Sequence, residues 1–259
     1  MILTIDIGNT NTVLGCWRED RLILTLRLHT NRDQTADEYC LLIGNLLKSR
    51  GVDPLSLSGG ILSSVVPELR MVMKNAMALL TGKTFLSVGA GLKTGLDIRM
   101  DNPAQLGADL VVDAVAALSK YQPPLVIFDM GTATTMSVID KNGAYRGGMI
   151  IPGLRLSVDA LSARAAQLPY IHLGPPERFI GSNTIDCMQA GAVYGSALMI
   201  DGLIARTEEE LGQPVTAVAT GGLMALIHSY CRKPLHYDEN LLLEGLYILY
   251  KKNAKLQSS

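Results

Sequence analysis

Two short stretches set carboxylates where phosphate chemistry would need them: DIGNTNTV at 6–13 and FDMGTATT at 128–135. Each follows an apolar run (ILTI, PLVIF) and places an Asp shortly before a Gly and a group of hydroxyl or amide side chains. Asp129 answers to Asp6, Gly131 to Gly8 and Thr135 to Thr12, at one constant offset. Glycine lets a backbone approach a ligand closely, and amide N–H groups with Asn and Thr side chains donate to phosphate oxygens. Two carboxylates would repel those phosphates unless cations lay between, so Asp6 and Asp129 imply Mg²⁺ or another hard cation bound by oxygen. Taken singly, either stretch is also an ordinary strand end and turn, since Gly8, Asn9 and Asn11 are common turn residues. Their repetition favours two facing turns around a nucleotide.

The elements that must position these turns repeat as well. TVLGCWREDRLILTLRLH follows the first and TMSVIDKNGAYRGGMII the second, each with a polar break (18–21, 140–143) suited to a hairpin. TADEYCLLIGNLLKSRG reads as an amphipathic helix with Thr35 or Asp37 as cap and Gly51 at its end. GGILSSVV and KTFLSV read as strands, with PELRMVMKNAMALL between them a helix that has Pro67 in its first turn. A helix is expected from near Ala104 to Lys120. In the second half, LRLSVDALSARAAQL and the long segment 184–212 read as helices, AVATGGL as a strand with a Gly turn, and LLLEGLYILYKKN as a closing helix. The order is mixed α/β with helices covering a sheet. The expected organisation is two duplicated domains, 1–121 and 122–259, flanking a nucleotide cleft.

Composition narrows the function classes. With 259 residues, 48% hydrophobic and 18% charged, the chain can bury a substantial core. A formal charge of −1 argues against broad binding to nucleic acid or anionic membrane, and no basic, helix-turn-helix or zinc signature stands out. The uncharged apolar run CMQAGAVYGSALMI, between Asp186 and Asp201, falls short of the roughly 20 residues of a bilayer span. Ile2–Ile5 lack a charged region and cleavage site before them, and the four cysteines form no CxxC pair. A cytoplasmic protein with reduced thiols is expected. GxxxxGK[ST] is absent and no GxGxxG follows a strand, so neither a P-loop nor a dinucleotide fold is indicated.

DIGNTNTVLG, DNPAQLGAD, FDMGTATT, GGMIIPG and TGG, in this order, together with SSVVP at 63–67, resemble the type III pantothenate kinases of the acetate-and-sugar-kinase/Hsp70/actin superfamily. The resemblance implies two ribonuclease H-like domains (the actin-like ATPase fold), a homodimer, ATP with Mg²⁺, and activation by K⁺ or NH₄⁺. The implied reaction transfers the γ-phosphoryl group of ATP to the primary hydroxyl of pantothenate, the first step towards coenzyme A.

Carried over by position, Asp6, Ile7, Gly8, Asn9, Thr10, Asn11, Thr12 and Val13 resemble the ATP-phosphate loop, with Asp6 towards Mg²⁺. Asp129 matches the monovalent-cation ligand and Thr132 a second ATP contact. Gly107, Ala108, Asp109 and Leu110 match the pantothenate segment, with Asp109 as general base. Thr184 matches a hydroxyl that contacts pantothenate, from across the dimer, and the Gly221–Gly222 turn is expected near the adenosine. A carboxylate in the first turn of a helix suits the base role, because an attacking alcohol must give up its proton. Asp109 could instead serve only the helix end. Asp113, one turn on, could orient substrate or simply be a solvated carboxylate. Thr184 in SNTID could be an N-cap.

Two departures lie on the acceptor side. The family commonly reads GADR where this chain has Leu110, and a Tyr where it has Met100. Arg99 and Lys93 are nearby in sequence. The alternatives to pantothenate kinase are a kinase of another small alcohol and a nucleotide-binding regulatory protein without turnover.

Overall fold

The structure, a computed structural model, describes residues 1–254. The chain runs through β1 (Ile2–Ile7), β2 (Asn11–Arg18), β3 (Arg21–His29), α1 (Ala36–Ser49), β4 (Gly59–Ser64), α2 (Pro67–Thr81), β5 (Leu86–Ser87), β6 (Asp97–Ile98) and α3 (Ala108–Lys120). It continues through β7 (Leu125–Met130), β8 (Ala133–Ile139), β9 (Ala144–Pro152), α4 (Leu154–Arg164), α5 (Thr184–Leu211), β10 (Thr216–Thr220), the short α6 (Met224–Ile227), β11 (His236–Tyr237) and α7 (Leu241–Ala254).

Two compact units result. The first comprises Met1–Gly95, Ala104–Ala116 and the chain from Leu241 onward; the second comprises Leu96–Pro103 and Ala117–Asn240. Each is built on a mixed sheet, ordered β3-β2-β1-β4-β5 in the first and β11-β10-β7-β8-β9-β6 in the second. In both, an antiparallel three-stranded meander (β1-β2-β3, β7-β8-β9) is extended by a parallel strand, β4 or β10, on its first member. The duplication seen in the motifs is therefore a duplication of topology. Along the chain, however, the units interleave. The closing helix α7, expected with the second half, packs on β1, β2 and β4 of the first unit.

Local sequence explains the element ends. Thr35 and Glu38 form a capping box at the start of α1, and Gly51 (φ 75°) follows its end. Pro67 sits in the first turn of α2 and Gly82 closes it in the left-handed region. The helix expected from Ala104 begins at Ala108, because Pro103–Gln105 form a separate 3-10 turn. KTFLSV supplies only the two strand residues of β5.

In the first unit, Leu3, Ile5 and Ile7 pack with Tyr39, Ile43 and Leu47 of α1 and Leu69 and Met73 of α2. Side chains alternate along a strand, so Thr4 and Asp6 belong to the opposite face. That face is covered by α3 and α7: Ile61 of β4 shares a buried cluster with Val112, Leu246 and Leu249. In the second unit, Val126, Phe128 and Met130 of β7 pack with Val193, Ala197, Ile200 and Ile204 of α5. α5 is the one described helix long and apolar enough, by length and composition only, to cross a membrane, a test that a core helix also passes. Its uncharged run is bounded by Asp186 and Asp201, but the helix continues past both.

Candidate active site

In the first unit the candidate site begins at the turn between β1 and β2. Asp6 is half-buried near the end of β1, paired in register with Val13 of β2 and Ser63 of β4. Gly8 N–H donates to Asn11 O (3.0 Å), leaving Asn9 and Thr10 exposed at the tip. A Cβ on Gly8 would stand 3.0 Å from that same oxygen, so the tight turn favours glycine. Thr12 is fully buried and its Oγ1 shares a hydrogen bond with Thr30 Oγ1 (2.9 Å), while Thr30 N–H donates to Thr10 O (2.9 Å). Thr12 is thus a brace of the turn. Ile7 is core and Val13 half-buried, so these two contribute backbone position.

The second unit repeats the plan with one residue fewer. Asp129 pairs with Thr135 of β8 and Thr220 of β10, and Gly131 N–H donates to Ala133 O (3.0 Å). In the ladders Ile7 faces Thr12, whereas Met130 faces Thr134. The counterpart of Thr12 is therefore Thr134, buried like it, and not Thr135; the constant offset slips by one residue across the shorter turn. Beside each Asp, the parallel neighbour is a buried hydroxyl residue, Ser63 or Thr220. Ser63 Oγ has no hydrogen-bond partner. Gly221 adopts φ 95°, and a Cβ there would lie 2.6 Å from Asp129 Oδ1, Met130 N and Met130 O. Gly153, buried, comes equally close to the turn: its Cβ would lie 2.1 Å from Thr132 O and 2.7 Å from Gly131 O. Thr132 itself is exposed at the tip.

The third part is the start of α3, in the first unit. Ile61 and Val112 share one cluster, so Asp6, Ser63 and the helix carrying Asp109 lie on the same side of that sheet. The Asp109 carboxylate folds back over Gly107, where a Cβ would stand 2.6 Å from Oδ1, and it accepts the Leu110 N–H (2.9 Å). Burial raises its pKa above the usual aspartate value, against the pull of the Leu110 and Asp109 N–H groups. Gly107, Ala108 and Leu110 are half-buried around it, and Asp113 is almost completely buried one turn on, so it is no solvated carboxylate. Of the two cations nearby in sequence, Arg99 Nε pairs with Asp97 (2.9 Å), and Lys93 has its backbone held by Asn253. Met100 is half-buried in the second unit.

Thr184 opens α5, but the cap is Asn183, whose Oδ1 accepts from Asp186 N (3.0 Å) and whose Nδ2 donates to Asp186 Oδ2 (2.8 Å). The Thr184 side chain is left exposed on a cavity of about 690 Å³ lined by Ile151, Leu154, Met188, Gly191 and Gly195.

The turn after Asp6 suits a metal brought by a nucleotide. Among the described residues, no three His, Cys, Asp or Glu side chains gather into a metal-holding group. Mg²⁺ is commonly held by one or two carboxylates plus substrate phosphates and water, and a single Asp beside a phosphate-sized turn fits that habit. Asp129 Oδ1 and Met130 O both lie 2.6 Å from where a Gly221 Cβ would stand, so a carboxylate and a carbonyl oxygen approach this glycine. Sequence reading overlooked Ser63, Thr220, Thr30 and Gly153 as supports; Ser63 and Gly153 lay inside the motifs SSVVP and GGMIIPG, while Thr30 had no signal in spacing.

The family model described as "Type III pantothenate kinase" matches residues 2–206. Proteins of that name from an Exiguobacterium species and from Myxococcus xanthus are 45% and 42% identical, each over 98% of this chain and over 100% and 99% of their own lengths. Among solved structures, the activator of 2-hydroxyisocaproyl-CoA dehydratase from Clostridium difficile, with bound ADPNP, matches at TM-score 0.59 and 12% identity, covering 100% of this chain and 97% of that one. MreB 5 of Spiroplasma citri, bound to AMPPNP, matches at TM-score 0.57 and 11% identity, covering 99% and 98%. The fold is that of the actin-like ATPases. With the family model spanning most of the chain and relatives aligned end to end, the chain belongs to the type III pantothenate kinase family.

Proposed function

We infer that this chain phosphorylates pantothenate with ATP, giving 4'-phosphopantothenate at the start of coenzyme A synthesis. The observation that carries the reading is the family match over residues 2–206, joined to a carboxylate held over Gly107 at the start of α3. In this reading Asp109 is the general base. It accepts the proton of the pantothenate hydroxyl as that oxygen attacks the γ-phosphorus, and ADP leaves. The backbone of 6–13 and Thr132 cradle the phosphates. Mg²⁺, oriented by Asp6 through water or directly, neutralises charge on the phosphates when bound. Asp129 takes K⁺ or NH₄⁺. Gly107, Ala108, Leu110 and Thr184 contact pantothenate.

We further propose that the duplicated units correspond to ribonuclease H-like domains 1–121 and 122–259, with α7 returned to the first, and that the protein is a cytoplasmic homodimer. An apolar surface on the second unit supports the dimer. Ile150, Phe179, Ile180, Ile185 and Leu198 are exposed, and Gly191, Gly195 and Gly202 of α5 face open space. A second copy covering α5 would bring Thr184 to the partner's acceptor site.

Leu110 and Met100 favour one second reading, a kinase of the same fold for another small alcohol. Leu110 has no guanidinium to bond an acceptor carboxylate, and such a bond is worth roughly 1.5–3 kcal/mol. ADP release from MgATP, with and without pantothenate, in potassium, ammonium and sodium buffers, tests both. Pantothenate-dependent turnover that needs potassium or ammonium supports the main reading. Faster turnover with a different small alcohol would replace it.

A further inference from the structure

The phosphate turn 8–12 is held from outside by the segment that follows β3, and that segment ends in a cation. Thr30 grips the turn twice, through Thr10 O and Thr12 Oγ1. Two residues on, Arg32 Nη2 donates to Asn9 Oδ1 at the exposed tip (2.9 Å), and Arg32 Nη1 lies 3.5 Å from Glu68 Oε1 in the first turn of α2. The strap is itself anchored. Asn31 N–H donates to Tyr39 Oη (3.1 Å) and Tyr39 Oη donates back to Asn31 O (2.8 Å), with Tyr39 fully buried in α1. Asp33 N–H is bound by Asn31 Oδ1 (3.0 Å) before the Thr35 capping box begins. A fixed backbone therefore presents a half-exposed guanidinium at the one tip side chain it bonds.

We propose that Arg32 is a positioning residue for the nucleotide phosphates. It holds the Asn9 side chain, and so the tip of the turn, in the conformation that receives polyphosphate, and it adds a positive charge beside that tip. Glu68 restrains the guanidinium from the other side. This rests on the reading of 6–13 as the phosphate loop. Arg is suited to the task because its planar fork can serve two acceptors at once, which a Lys ammonium at the same place would do less well.

The test compares Arg32→Gln and Arg32→Lys with the unaltered protein by calorimetric binding of MgADP, MgATP and adenosine, alongside steady-state kinetics. Arg32→Gln is expected to weaken MgATP binding and raise KM for MgATP about 5- to 30-fold, with kcat and KM for the acceptor changed less than 3-fold, and with Arg32→Lys intermediate. Adenosine binding is expected to stay unchanged. Asn9→Ala combined with Arg32→Gln should lose less than the two singly added together. Equal weakening of adenosine and MgATP, or additive losses, would overturn the proposal. If the unaltered protein binds no MgATP, the phosphate-loop reading itself fails, which is a separate outcome.

Discussion

At the residue scale the proposed chemistry turns on Asp109. Its burial raises the carboxyl pKa, so in the folded protein the protonated form is favoured more than in the unfolded chain. That term's stabilisation is present below the unfolded aspartate pKa and is lost as pH rises through the folded value. At neutral pH the ionised carboxylate therefore costs stability. Asp109→Asn should lower kcat roughly 10²- to 10⁴-fold while raising the melting temperature at pH 7, with the gain shrinking towards pH 3; melting curves and turnover across pH read both. In the unaltered enzyme the acid limb of kcat/KM should lie above the ordinary aspartate range. A stability loss in the Asn variant at neutral pH would mean that the carboxylate is structural. The placement of Asp109 at the start of a helix, and of Asp6 and Asp129 near strand ends, was legible in the sequence. Ser63 and Thr220 were not, because what makes them notable is a ladder partner distant in sequence.

At the element scale the two hairpin turns differ by one residue, and the shorter one is enclosed by glycines. Gly221→Ala would place a methyl group within contact of Asp129 Oδ1 and the Met130 backbone at a φ that L-residues adopt at a cost of about 1–3 kcal/mol. It should weaken the response of turnover to potassium at least tenfold while leaving the far-ultraviolet circular dichroism unchanged. A normal potassium response would detach Asp129 from cation binding. Strand and helix identities followed from periodicity and caps: Thr35, Gly51 and Pro67 sit where local chemistry put them. The short β6 and β11 escaped notice because two residues carry no period; only pairing with β9 and β10 makes them strands. The slip from Thr135 to Thr134 was equally hidden, since an offset counts residues and a ladder counts hydrogen bonds.

At the scale of the whole molecule, α5 has one face in the core of the second unit and another with glycines open to solvent beside Phe179, Ile180 and Leu198. Leu198→Asp should convert the proposed dimer to monomer in light scattering and lower turnover with it, because Thr184 would lose its route to a partner's site. An unaltered protein that is monomeric at micromolar concentration would rule out the dimer. The last helix carries a different consequence. Leu241, Leu243, Leu246 and Leu249 of α7 are buried, and at roughly 1.5–3 kcal/mol each their burial rivals the net stability of about 5–15 kcal/mol typical of a whole domain. Without α7 the sheet face that carries Asp6 keeps only α3 as cover. The turn after β1 therefore depends on a helix far along the chain, so a chain ending at Asn240 should be protease-sensitive between β1 and α2, whereas the chain that carries α7 resists.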